Sequence, residues 1–351
     1  MTDKTKILIT GITGYIGGSV FSRFLKRPDF SSFDIRAIVR SAEKGEKLKN
    51  LYGVTPIVGS HSDFSLMENA ASEADIVLSM ANVDDVDAAR ATLSGLKKKF
   101  EKTGKKGVFI NTSGTAVLAD NARGEYPGET IYDDADADQI ESLSPSQPHR
   151  PVDIEIVTAD KEGYVDTYII IPPLIWGKAT GRPFDDGLAH GHSFQIPWLV
   201  NAAVKRGRAG FIGKGANIWP HVEVHELVEV YSILLDNVLP DSKRPAIVGH
   251  GRNGYYFASM HELNFHQVAS AIGSALVEAG KGKDAEPTAF TEEEVQKYFG
   301  EYGYPVFGSN SRCKTTRMKE LGWSPQKDTK DMLNSIRGEV DASIAANSNK
   351  D

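Results

Sequence analysis

A single cysteine, Cys313, stands in 351 residues, so neither an intramolecular disulfide nor a thiolate zinc cluster can form. Long apolar runs are also missing. The most hydrophobic stretch, YIIIPPLIW (168–176), is half the length of a membrane span and is broken by two prolines. Positive charge is in the minority. Lys and Arg number 40 against 47 Asp and Glu, a net charge of −7, which argues against nucleic acid or an anionic membrane as the main partner. The opening MTDKTK runs straight into a strand without an apolar signal region, and a cytoplasmic protein is expected. With 25% charged and 40% hydrophobic residues, the composition is that of an ordinary globular chain.

What is present is a regular alternation. KILIT (6–10), FDIRAIVR (33–40), TPIVGS (55–60), DIVLSM (75–80) and GVFINTS (107–113) are short, β-branched, continuously apolar runs. Between them lie segments with helical spacing: YIGGSVFSRFLKR, SAEKGEKLKNL, LMENAASEA and VDAARATLSGLKKKFEKTG. Strand–helix alternation with strands apolar on both faces predicts a parallel sheet covered by helices on each side. The fold class expected is α/β, a Rossmann-type doubly wound parallel sheet with a smaller, mainly helical C-terminal lobe. Residues 1–180 would form the dinucleotide-binding domain and 181–345 the substrate lobe, with 217–250 returning to the first domain. Residues 116–150 are polar, acidic and rich in Gly and Pro, and they predict a lid-like insertion. TYIIIPPLIWG (167–177) and RPAIVGH read as strands. HELVEVYSILLDNV, HELNFHQVASAIGSALVEAG and TEEEVQKYFG read as helices, and AANSNKD as a disordered tail.

Between the first strand and first helix lies TGITGYIGG. Gly11, Gly14 and Gly17 allow a tight turn, close approach of a pyrophosphate and close packing of the helix, whose N-terminus then faces the anion. The second strand ends in Arg40 and Ser41 with Lys44 nearby, where an NAD-binding protein would carry an acidic residue. A guanidinium there can pair with a 2′-phosphate, so NADP(H) is the cofactor expected.

These motifs, together with VFINTSGTAVL, YIIIPPLIWG and NIWPHVEVHELVEVY, resemble the extended short-chain dehydrogenase/reductase superfamily over roughly residues 5–240. The resemblance implies a cofactor-contacting set of Gly11, Thr13, Gly14, Tyr15, Ile16, Gly17, Arg40, Ser41, Lys44, Ala81, Asn82, Thr112, Lys161, Pro172, Pro173 and Leu174. It also implies a Ser or Thr after the fifth strand and a Tyr-x-x-x-Lys pair on the next long helix, the tyrosine exchanging a proton and the lysine lowering its pKa. None of the 12 tyrosines has a lysine four residues later. Lys161 is the counterpart of the lysine, and Val157, which cannot exchange a proton, stands where the phenol belongs. Ser113 and Thr115 are the candidate hydroxyls. Tyr132 from the polar insertion is a candidate acid; Tyr126, Tyr164, Tyr168, His149, His190 and His192 remain open.

Other chemistries are less well matched. TSGTA is not a Gly-x-Ser-x-Gly elbow, DDADAD lacks calcium-loop spacing, and the His-x-His of AHGH has no further ligands nearby, so no metal site is expected. The reading is an NADP(H)-dependent oxidoreductase of atypical extended type, acting by hydride transfer on a small, fairly apolar carbonyl, imine or activated alkene, with a homodimer possible. Two alternatives stand beside it: a redox-neutral isomerase or cyclase using bound NADP, and an NmrA-like NADP-binding regulator without turnover.

Overall fold

The structure, a computed structural model, describes residues 4–239, 242 and 248–348. The first half alternates strand and helix: β1 (Thr5–Thr10), α1 (Tyr15–Phe24), β2 (Phe33–Val39), α2 (Ala42–Tyr52), β3 (Thr55–Val58), α3 (Phe64–Ser72), β4 (Ile76–Ser79), α4 (Val86–Thr103) and β5 (Gly107–Thr112). Each strand sends alternate side chains to opposite faces. Ile7, Ile9, Ile76, Leu78 and Ile110 enter one core, while Leu8, Val77 and Phe109 enter the other. Where both faces are dry, as along β4 and β5, a strand must be apolar throughout, which is why those runs read as continuous, whereas the edge strand β3 stays partly exposed.

Beyond β5 come β6 (Tyr132–Asp133), α5 (Ala137–Glu141), α6 (Arg150–Lys161), β7 (Val165–Ile171), β8 (Leu174–Trp176), α7 (Arg182–Asp185), α8 (Gln195–Arg206), β9 (Gly210–Phe211), β10 (Ile218–Glu223) and α9 (Val224–Val238). The C-terminal part holds β11 (Tyr255–Phe257), β12 (His261–Asn264), α10 (Phe265–Glu278), β13 (Thr288–Ala289), α11 (Glu292–Phe299), β14 (Cys313–Lys314), α12 (Arg317–Glu320) and α13 (Thr329–Ser348). The main sheet has seven strands in the order β11-β7-β5-β4-β1-β2-β3, with every pairing parallel. Strand order reverses between β1 and β4, and the crevice beyond their C-terminal ends is where open α/β sheets bind ligands. A smaller sheet, β12-β10-β8, carries α8, α10, α11 and α13 around a third core that includes Trp219, Phe265, Phe299 and Phe307.

Several expectations need correction. β11 belongs to the main sheet although it lies past residue 250, because its three aromatic residues are buried beside β7. Met318 and Trp323 also pack on the main-sheet core. HELN is strand β12 rather than the start of a helix, and α13 continues through most of the expected tail. The RPAIVGH strand falls largely outside the described residues. The 116–150 insertion is no free lid. Asp120, Gly124 and Tyr132 donate backbone hydrogen bonds to Asn310, Gly308 and Arg312, and β6 pairs in parallel with β14, so its middle is strapped to residues 308–317. No described helix is long and apolar enough to cross a membrane.

Candidate functional site

At the switch point, Gly11 adopts φ +76°, and a Cβ there would meet the Met80 carbonyl at 2.4 Å; at Gly17 it would lie 2.1 Å from the Gly11 carbonyl oxygen. No side chain could occupy either place. Gly14 begins α1 without a side-chain cap, so the helix presents uncapped N–H groups and its positive dipole end. A cavity of about 930 Å³ opens directly onto this turn, lined by Gly14, Tyr15 and Ile16.

The cavity continues along Met80 and Ala81, past Thr112, Ser113, Gly114 and Thr115 at the end of β5, and past Pro172 and Pro173 at the end of β7. Its far part is walled by His190, His192, Ser193 and Phe194 ahead of α8, by Trp219, and by Tyr302, Pro305 and Val306. Thr115 and Ser193 line the cavity, but their hydroxyl oxygens are buried within the protein and have no hydrogen-bond partner. The Thr112 hydroxyl is instead shared with Tyr231 at 2.8 Å, and the Tyr15 hydroxyl donates to the Gly177 carbonyl at 2.6 Å. Burial pushes both phenols well above their ordinary range, so they stay protonated.

The first turn of α6 faces the end of β5. His149 is its N-cap, in the left-handed region at φ +66°, and its Nδ1 lies 2.7 Å from Asp84 Oδ1. Asp84 Oδ1 also accepts the His149 backbone N–H at 3.1 Å, and the partnership with His149 holds its carboxyl below the usual range. One turn on, Asp153 is buried and its Oδ2 accepts the Ser113 hydroxyl at 3.0 Å, while Oδ1 has no partner. Desolvation raises its pKa to about 7. His149 and Asp153 therefore occupy the i, i+4 spacing that a Tyr-x-x-x-Lys pair would use.

The sequence-derived residues divide accordingly. Gly14, Tyr15, Ile16, Ala81, Thr112, Ser113, Thr115, Pro172 and Pro173 line the cavity, and Asn82 lines a small adjoining recess. Gly11, Thr13 and Gly17 build the turn. Arg40 is exposed at the tip of β2 with Lys44 nearby, whereas Ser41 is spent capping α2 through the Lys44 N–H.

Three expectations are overturned. Lys161 ends α6, exposed and about 12 Å of helix rise beyond Asp153, because only the first turn of α6 reaches β5. Val157 packs against the core. Tyr132 is fixed in β6 opposite Cys313 and does not line the cavity; nor do Tyr126, Tyr164 and Tyr168. Leu174 is fully buried in the lobe core. Cys313 is buried, its thiol pushed up by desolvation, which keeps it protonated and unreactive. Asp84 and Asp153 escaped the sequence reading. The signal for Asp153 was Pro151, which marks the start of a helix and so places Asp153 one turn after His149; Asp84 had no such signal.

This geometry is a Rossmann-like α/β fold, shared with solved epimerases and reductases. The NmrA-like family model matches residues 3–97. Oxidase ucsJ of Acremonium sp is 26% identical over 336 residues, spanning 91% of this chain and 92% of that protein. UDP-glucose 4-epimerase of Thermotoga maritima, solved with UDP-glucose, is similar over 97% of this chain and 100% of its own, with a TM-score of 0.63 at 15% identity. Vestitone reductase of alfalfa, Medicago sativa, is similar over 97% and 99%, with a TM-score of 0.58 at 16% identity.

Proposed function

We propose that this chain binds NADP(H) across the N-terminal glycine turn and acts as an oxidoreductase on a small, largely apolar carbonyl, imine or activated alkene. The observation that carries the reading is the single cavity joining the glycine turn to an aromatic end formed by Phe194, Trp219 and Tyr302. Among its lining residues there is no lysine or arginine. A sugar-nucleotide diphosphate in that end would lack the cations it needs, whereas a flat uncharged molecule finds aromatic faces.

The residues fit the cofactor. The turn at Gly11, Gly14 and Gly17 and the first N–H groups of α1 would hold its pyrophosphate, Arg40 and Lys44 a 2′-phosphate, and Pro172 and Pro173 would border its nicotinamide. When bound, the group supplies a hydride. This chain's residues would orient the substrate beside the end of β5.

The test is titration of nucleotide-free protein with NADPH and NADH, followed by NADPH consumption with uncharged aromatic aldehydes and ketones. NADPH should bind at least tenfold tighter than NADH, and Arg40→Asp should remove most of that preference. Equal affinity for the two in the unmodified chain would contradict the NADP assignment. A second reading, cofactor binding without turnover, draws support from the NmrA-like match and from the missing phenol. It predicts tight NADPH binding that no carbonyl compound discharges.

A further inference from the structure

We infer that His149, oriented by Asp84, is the group that exchanges the substrate proton, at the position where a Tyr-x-x-x-Lys pattern would put its tyrosine. The inference rests on the oxidoreductase reading and adds a catalytic residue to it.

Four features of the site converge on this imidazole. His149 is one of two described non-glycine residues with positive φ, a conformation retained only where the surroundings hold it in place. What holds it is Asp84 Oδ1, which takes both the backbone N–H and the ring Nδ1 and so pins the residue at two points. The opposite nitrogen, Nε2, is turned to Gly114, where a Cβ would come within 3.1 Å of it; the absent side chain leaves the ring its place. Finally, His149, Asp84, Ser113 and Gly114 all line the cavity, beside the end of β5, while 15% of the His149 side chain remains accessible.

The two anchoring bonds set the chemistry. Nδ1 donates to Asp84, so the neutral ring carries its lone pair on Nε2 and the protonated ring carries a donor N–H there. In the reductive direction the substrate carbon gains a hydride as the C=O π bond breaks. Its oxygen takes the Nε2 proton, and imidazolium becomes imidazole. The alcohol leaves, the nicotinamide has lost two electrons, and solvent returns the proton to Nε2. Oxidation runs the same exchange backwards, with Nε2 as the base. The charged and titratable groups around the ring are Asp84 from the β4–α4 loop, Asp153 and Arg150 on α6, and His190, His192 and Glu301 across the cavity. Asp84 is the positioning residue: its two bonds hold the ring in place and fix the tautomer.

A phenol would remain an acid to about pH 10, whereas an imidazolium loses its proton as pH rises through the neutral range. Reduction of para-nitrobenzaldehyde by NADPH should therefore fall in a one-proton step on the alkaline side that is lost in His149→Asn, and Asp84→Asn should lower kcat about tenfold. Asp84→Glu should partly restore kcat. His149→Asn, chosen because asparagine tolerates positive φ, should lower kcat by about 10²–10⁴-fold while NADPH affinity stays within about threefold.

Imidazole nitrogen NMR gives a readout without turnover. The resonance lost in His149→Asn should belong to an Nδ1–H tautomer, and Asp84→Asn should relax that tautomer preference. The inference is overturned if His149→Asn turns over like wild type, if the tautomer is Nε2–H, or if the alkaline pH step persists in His149→Asn. Failure of wild type to reduce any probe while it binds NADPH would instead overturn the oxidoreductase reading, and the catalytic role with it.

Discussion

Asp153 stands four residues after His149 on α6, and it sets a carboxyl rather than a cation beside Ser113. A lysine there would stabilise a phenolate; a buried carboxyl hydrogen-bonded to Ser113 cannot. Burial lifts its pKa from an ordinary value near 4 to about 7. Between those values the folded chain binds a proton that the unfolded chain does not. The stabilisation relative to an ionised carboxyl is thus complete below about pH 4 and is lost as pH rises through about 7. Asp153→Asn should accordingly gain over wild type as pH rises, by at most about 4 kcal/mol. Thermal melts at pH 5 and pH 8 check this: the Tm difference should widen by several degrees, and one that does not change with pH would contradict it. Gly114 offers a second test. Its φ of −168° suits any residue, so alanine there is limited only by the contact with His149. Gly114→Ala should lower turnover at least tenfold with NADPH affinity nearly unchanged; unaltered turnover would show that the ring position does not matter. The glycines of the turn were legible in the sequence, since their spacing has one strong structural meaning. His149 was legible only as one of several open candidates, and Asp153 was not legible. A search for tyrosine and lysine passes over a histidine and an aspartate at the same i, i+4 spacing.

At the scale of elements, the alternation of apolar runs made β1 to β5 and α1 to α4 legible, because burial on both sheet faces leaves a continuous signal. The strap was not legible. Residues 116–150 carry no periodicity, and their partners lie near residue 310, so the docking is written in single polar contacts between distant segments. Asp134 is the main one. Buried at the end of β6, its carboxylate accepts the backbone N–H groups of Phe257 at 3.0 Å, Thr316 at 2.8 Å and Arg317 at 3.0 Å. These bonds join the insertion to β11 and to the start of α12. Asp134→Ala would leave three backbone donors unpaired and should destabilise the chain by about 3–5 kcal/mol. Chemical denaturation measures this, and hydrogen exchange should rise first at residues 131–136 and 313–317. A loss below about 1 kcal/mol would mean that the strap holds without it.

For the molecule as a whole, three cores divide the work. Two sandwich the parallel sheet and fix the glycine turn against β4, and the third builds the aromatic lobe. The cavity lies between turn and lobe, so it borrows backbone donors from one side and apolar faces from the other. On the proposed reading, a chain without the usual tyrosine would present a cofactor to a substrate by taking placement from the sheet and proton exchange from α6. All of it depends on a pyridine nucleotide lying across Gly11, Gly14 and Gly17. The most direct test is calorimetric titration of nucleotide-free protein with NADPH. One molecule should bind per chain, and Gly14→Val, which would put a branched side chain into the turn, should abolish binding while leaving the fold intact by circular dichroism. If neither NADPH nor NADH is taken up by the unmodified chain, the account is wrong.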